Sequence, residues 1–293
     1  MNRRSFLQSL SVAAGGTPFV FGHRFTSLLD EPGNSDESLC KKKFDIAVSQ
    51  KWTTQPIGKV VVEVGQTFLG TEYVGNVLEA PGEEHLVVNM TGLDCVTFYE
   101  NSLVIARCIK LKKMTFDEYK KQLQFIRYRG GILNGYTSRL HYTSDYFYDN
   151  DKRGIWKNIT KELGGSKYVK ALNFMSTHPE NYRQIRESAE ALKVIKALET
   201  EISNRDNFYV PKEMVAQISG KLQDGDIIGI TTNVEGIDTS HTGVIILQSG
   251  VAHLMHAPLA GKKVQISEKP LHEYLAANKR QTGVIVVRPL EPV

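Results

Sequence analysis

Apolar positions along this chain change their period once. From Phe44 to Arg205 they recur mostly at helical spacing, and from Tyr209 onward they fall into short runs of strand character. Residues Gln55 to Leu69 read as a helix that stops at Gly70. Thr115-Phe116-Asp117-Glu118 is a capping box opening a helix that ends near Gly130-Gly131. A long helix is predicted after Pro179, running through Ile185, Ala191, Leu192, Val194, Ile195 and Leu198. The stretch after Asp94, through Lys110, is apolar almost all round, with only Glu100, Asn101 and Arg107 polar enough to object, so it reads as a buried helix. In the second portion, 227–231, 241–247, 251–257, 263–267 and 283–288 are β-branched runs separated by Gly, Asn, Asp and Pro. Helices first and strands afterward predict an α+β fold ending in an antiparallel meander.

The 293 residues suffice for one large domain or two modest ones. We read one domain over 44–293, with a helical part at 44–205 and a sheet part at 206–293. Residues 23–43, rich in Pro, Gly, Ser, Asp and Lys, read as a linker. Ahead of them, Asn2-Arg3-Arg4-Ser5-Phe6-Leu7 followed by a mildly apolar stretch to Gly22 forms an export signal over 1–22, either of the twin-arginine type or an ordinary secretory signal containing two arginines. No later stretch has the roughly 20 uninterrupted apolar residues of a membrane span, so the mature protein is expected to be soluble. The net charge of +4 is dispersed rather than gathered with aromatics into a basic patch, which argues against nucleic-acid binding.

Three cysteines are present, Cys40, Cys95 and Cys108. An odd count disfavours a disulfide framework. On one helix Cys95 and Cys108 stand roughly 20 Å apart along the axis, too far to pair. Cys40 reads as a surface thiol. Cys95 differs because Asp94 is a good N-cap residue. It leaves Cys95 in the first turn, where backbone N–H groups and the positive end of the helix dipole stabilise a thiolate.

A thiolate needs a proton carrier, and His241 stands at the start of the 241–247 strand. If Ser249-Gly250 is a two-residue hairpin turn, Gln248 pairs with Val251, Ile245 with Leu254 and Gly243 with His256. Alternation then puts His241, Gly243 and His256 on one face and His253 on the other. His256 becomes the diagonal neighbour that can orient His241 as the third member of a triad. A turn one residue longer reverses that parity. The rival is a metal site built from His241, His253, His256 and a cysteine. It is disfavoured because His253 and His256 differ in parity and because no Cys pair or His-Glu-x-x-His helix accompanies them.

Five pieces, in order, carry a family resemblance: Leu93-Asp94-Cys95-Val96-Thr97-Phe98 with Glu100; Ser138-Arg139-Leu140-His141-Tyr142 with Asp145; Leu222-Gln223-Asp224-Gly225-Asp226-Ile227-Ile228; Gly236-Ile237-Asp238 with His241-Thr242-Gly243; and His253-Leu254-Met255-His256-Ala257. The chain thereby resembles the NlpC-type branch of papain-like cell-wall cysteine hydrolases and, within it, the N-acetylmuramoyl-L-alanine amidase-like subfamily. The resemblance implies a papain-like core, with a helix-borne nucleophile packed on an antiparallel half-barrel sheet. It also implies a Cys95, His241, His256 triad working through a thioester, with no metal and no organic cofactor. Tyr73 is implied as an oxyanion candidate, and Arg139, His141 and Asp145 as substrate-binding residues. The implied substrate is a peptidoglycan fragment, an anhydro-muropeptide cut between the lactyl group and L-Ala. The leader points to the periplasm or cell envelope, and a monomer is assumed, the sequence leaving the oligomeric state open. Two alternatives stay open: the γ-D-glutamyl-diamino acid bond cleaved by the broader superfamily, and a non-catalytic cell-wall binding protein on the same fold.

Overall fold

The computed structural model describes residues 35–293. The export signal assigned to 1–22, and 23–34 of the expected linker, lie outside the described residues. The rest of that linker is not a linker. Residues Asp36–Ser49 form helix α1, capped by the Ser35 side chain, which accepts from Ser38 N–H at 3.2 Å. Its composition is polar, yet Cys40, Phe44 and Ala47 fall on one narrow stripe and are buried. Cys40 is therefore a core thiol rather than a surface one, and burial is the main reason its pKa stands above the ordinary range.

Helix α2 (Ile57–Gln66) buries Val60, Val61, Val62 and Val64 against α3 (Cys95–Lys110), which is enclosed almost from end to end. Helix α4 (Phe116–Arg127) begins where the capping box predicts, Thr115 Oγ1 accepting from Glu118 N–H at 3.2 Å. Helix α5 (Thr143–Lys152) follows. The single helix expected after Pro179 is broken into a 3-10 turn at Pro179–Asn181, one turn at Arg183–Arg186, and α6 (Ala189–Ser203). The break is chemical: Ser188 accepts from Ala191 N–H at 3.1 Å and starts a new helix, while Tyr182 and Ile185 anchor the preceding turns in their own small core.

The strands are β1 (Glu72–Tyr73), β2 (Gly92–Leu93), β3 (Trp156–Asn158), β4 (Ser166–Lys167), β5 (Phe208–Pro211), β6 (Ile227–Thr232), β7 (Thr239–Gln248), β8 (Val251–His256), β9 (Gln265–Ile266) and β10 (Gln281–Pro289). β1 and β2 form a parallel pair, and the rest make one antiparallel sheet of order β4-β5-β10-β6-β7-β8-β9, with β3 against β10. Only β6 to β9 run as the expected meander. β10 returns to fill the place between β5 and β6, and β3 and β4 come from within the helical part.

Period-two alternation divides the sheet between two cores. Ile227, Val244, Ile246, Met255, Ile285 and Val287 face the helical core around α3. Their neighbours Ile228, Ile245, Leu254, Val284 and Val286 face a second core, covered by residues 215–222 and by the short helix α7 (Leu271–Ala276). The Asp224-Gly225-Asp226 motif is a joint in this frame. Gly225 has φ +85°, and a Cβ there would stand 2.3 Å from the Gly58 carbonyl oxygen, so only glycine admits α2 this closely. Asp224 accepts from Leu247 N–H and Asp226 accepts from Arg288. Among the described residues no helix is long and apolar enough to cross a membrane.

Candidate active site

Asp94 caps α3 as expected. Its Oδ1 accepts from Val96 N–H at 3.0 Å and Thr97 N–H at 2.8 Å, while its own N–H donates to Thr97 Oγ1 at 2.9 Å. Cys95 is thereby the first residue of α3 and remains partly exposed, whereas the helix interior from Thr97 to Ile109 is buried. Thr242 Oγ1 donates to the Cys95 carbonyl oxygen at 2.9 Å, tying the helix start to β7. This puts the sulfur at the positive end of an enclosed helix.

The hairpin takes the two-residue form. Gln248 pairs with Val251 and Ile245 with Leu254, with Ser249 and Gly250 both at positive φ, 51° and 81°. His241 Nε2 lies 2.7 Å from His256 Nδ1. Gly243 stands between them on that face, and a Cβ there would meet His256 Cβ at 3.1 Å and the Met255 carbonyl oxygen at 2.8 Å. The glycine leaves the two rings room to meet. A bulge at Ser240, between the Ile230–His241 and Thr231–Thr239 pairs, turns the strand end that carries His241. His253 lies apart, its Nδ1 2.9 Å from the Ser267 carbonyl oxygen, so the three histidines do not converge.

Cys95 and His241 line one open cleft of about 500 Å³, a volume suited to a small ligand. His241 keeps an edge toward the cleft but otherwise sits among protein atoms. Burial pushes its pKa down to about 4, against an upward pull from the Asp94 carboxylate. His256 is driven well below the ordinary histidine range by burial and then by His241. Both shifts favour neutral rings at pH 7.

A stability prediction follows from the His241 shift. The unfolded chain binds this proton near pH 6.5 and the folded one only near 4, so the unfolded state holds more protons in between and stability is lost as pH falls through that window. His241 alone accounts for up to about 3 kcal/mol of the loss, less the screening by water at the cleft edge. Urea unfolding at pH 7 and pH 4.5 is expected to show a smaller drop in His241→Gln than in wild type. An equal drop in both contradicts the burial argument.

Tyr73 lines the cleft, and β1–β2 register sets it beside Leu93, two residues ahead of Cys95. Arg139 and His141 also line it. Arg139 is nearly enclosed, paired with Glu79 at 2.6 Å, and His141 Nε2 lies 2.9 Å from the Tyr136 carbonyl oxygen. Asp145 is not among the lining residues. At 1% exposure it is gripped by Arg129 at 2.5 Å and Arg205 at 2.6 Å, a buried junction rather than a substrate contact. Sequence reasoning missed Tyr274 of α7, whose ring meets that of His256 edge-on at 5.2 Å and which also lines the cleft. No local pattern marks it, because only the packing of α7 on β8 brings it there.

The sequence model of the AmiA-like family, described as N-acetylmuramoyl-L-alanine amidase-like, matches residues 63–284. Among solved structures, an N-acetylmuramoyl-L-alanine amidase from Bacteroides uniformis aligns with a TM-score of 0.75 at 34% identity, covering 80% of this chain and 99% of that one. A candidate xylanase from Bacteroides fragilis aligns at 0.73 and 35% identity, over 78% and 99% of the two chains. A protein from Legionella pneumophila, at 0.64 and 20% identity over 88% and 96%, shares the fold alone. No curated protein matches the chain.

Proposed function

This chain belongs to the AmiA-like, N-acetylmuramoyl-L-alanine amidase-like family, and on that premise we propose that it is a papain-like cysteine amidase cutting the lactyl–L-Ala bond of anhydro-muropeptides. The observation that carries the reading is the 2.7 Å contact between His241 and His256 in a cleft that also holds Cys95 at a helix start. His241 Nε2 is engaged by His256, which leaves Nδ1 as the nitrogen that serves the thiol. His256, accepting from Nε2–H, fixes the tautomer.

The Cys95 proton passes to His241 Nδ1, and the thiolate attacks the lactyl carbonyl carbon. The oxyanion is held by the Cys95 N–H and the Tyr73 hydroxyl. The C–N bond breaks as Nδ1–H protonates the L-Ala amine, leaving a thioester. Water, deprotonated by Nδ1, then attacks that thioester, and the proton returns to sulfur as the lactyl carboxylate leaves. A leader over 1–22 delivers the enzyme to the cell envelope, where the substrate is found.

The glycosidase name of one structural neighbour finds no support in this cleft. Glycoside hydrolysis commonly needs two available carboxylates. Here Glu79 and Glu100 are engaged by Arg139 and Arg127, and Asp94 caps α3. Digestion of an anhydro-muropeptide followed by mass spectrometry tests the proposal. Free sugar plus intact stem peptide is expected. A truncated peptide left on the sugar points instead to the γ-D-glutamyl bond, and no cleavage points to a binding protein.

A further inference from the structure

The 2.7 Å contact between His241 and His256 can run in two directions. With both rings neutral, as their shifts favour, one nitrogen of the pair carries the shared proton and the other accepts it. If His241 Nε2–H donates, its Nδ1 is bare and can take the Cys95 proton. If His256 Nδ1–H donates, His241 keeps its own proton on Nδ1 and is useless as a base. The difference shows at the far nitrogen of His256, which carries a hydrogen in the first case and a bare lone pair in the second. Water does not decide between them, because His256 is 1% exposed and its Nε2 finds no hydrogen-bond partner among the described residues.

The neighbour of His256 away from His241 is aromatic. Tyr274 stands with its ring at 90° to that of His256 and the centroids 5.2 Å apart, within the range of an edge-to-face pair. The phenol is itself held in place. Tyr274 packs against the second core, and the Gln281 side chain at the start of β10 hydrogen-bonds its hydroxyl in the sense that favours the phenolate, so the amide N–H donates. An aromatic face is electron-rich: it attracts an N–H and repels a lone pair. Resting on the triad reading above, we propose that Tyr274 is a positioning residue whose ring face takes the His256 Nε2–H and so fixes the direction of the His241–His256 hydrogen bond, leaving His241 Nδ1 open to the thiol. A contact of this kind is worth about tenfold between the two tautomers.

Long-range ¹H–¹⁵N correlation spectra of the histidine rings, recorded near pH 7 without substrate, read the tautomers directly. In wild type about nine-tenths of His256 is expected to carry its proton on Nε2, with that proton shifted upfield by the Tyr274 ring current. Tyr274→Phe keeps the aromatic face and is expected to keep both signatures. Tyr274→Leu is expected to lose the upfield shift and to let the Nε2–H share fall to about half. His256 protonated on Nδ1 in wild type, or an Nε2–H without the upfield shift, overturns the proposal. So does a folded Tyr274→Leu protein with the wild-type ratio, or a Tyr274→Phe protein that behaves like Tyr274→Leu. If the leucine protein does not fold, the wild-type and phenylalanine spectra decide. Muropeptide hydrolysis by wild type is scored separately: its absence counts against the amidase, while the tautomer ratio still decides the role of Tyr274.

Discussion

Cys95→Ala is expected to lower hydrolysis of a muropeptide by about 10⁴-fold or more while leaving the unfolding temperature within a degree or two of wild type. On the proposed mechanism the rate loss corresponds to at least about 5 kcal/mol of barrier, because Cys95 is the one cysteine among the described residues lining the cleft and its removal leaves only oxyanion stabilisation behind. Stability should hardly move, since Cys95 is partly exposed and the α3 cap is made by Asp94 and Thr97 rather than by its sulfur. Steady-state rates on one purified muropeptide, together with a thermal melt, check both halves. Retention of a tenth of the activity sinks the nucleophile assignment.

Arg127→Met is expected to have the largest effect on stability, a loss of about 3–5 kcal/mol. Arg127 and Glu100 sit on the cleft floor, 3% and 0% exposed, joined by an Nη2–Oε2 contact of 2.8 Å and paired Nε contacts of 3.2 Å. Tyr146 donates to Glu100 at 2.9 Å, and Arg127 donates to the Val87 carbonyl oxygen at 2.5 Å. Burial alone would lower the Arg127 pKa, but the Glu100 carboxylate more than offsets it and holds the guanidinium above its usual value. Removing the arginine strands a carboxylate where water cannot reach it. Adding Glu100→Gln to Arg127→Met should recover most of the loss, and a chemical-denaturation cycle over the four proteins measures the coupling. A cost under about 1 kcal/mol for the single change means that the floor is wetter than its burial implies.

The parts of the site that could be read from sequence obey local rules. Asp94 ahead of an apolar run marks a helix start, and a two-residue turn at Ser249-Gly250 sets a register that determines the face of every side chain around it. Given that turn length, which the sequence leaves open, alternation alone separates His241 and His256 from His253. The illegible parts depend on distant chain. Asp145 looked like a cleft residue, but Arg129 and Arg205 enclose it from segments with no sequence relation to one another. Strands β3 and β4 are three and two residues long, too short for alternation to register, and exist only because β10 and β5 offer edges to pair with. Residues 36–43 were hidden by their charges: a helix on a domain surface needs only one apolar stripe, and Cys40 and Phe44 supply its start.

The most direct test of the account is a single-turnover reaction quenched in acid, with the intact mass of the protein read at once and the modified peptide mapped. Attack of Cys95 on the lactyl carbonyl predicts a transient adduct on Cys95 with the mass of the muramyl acyl group, the whole stem peptide being already free. An adduct carrying peptide mass, or one on any residue other than Cys95, contradicts it.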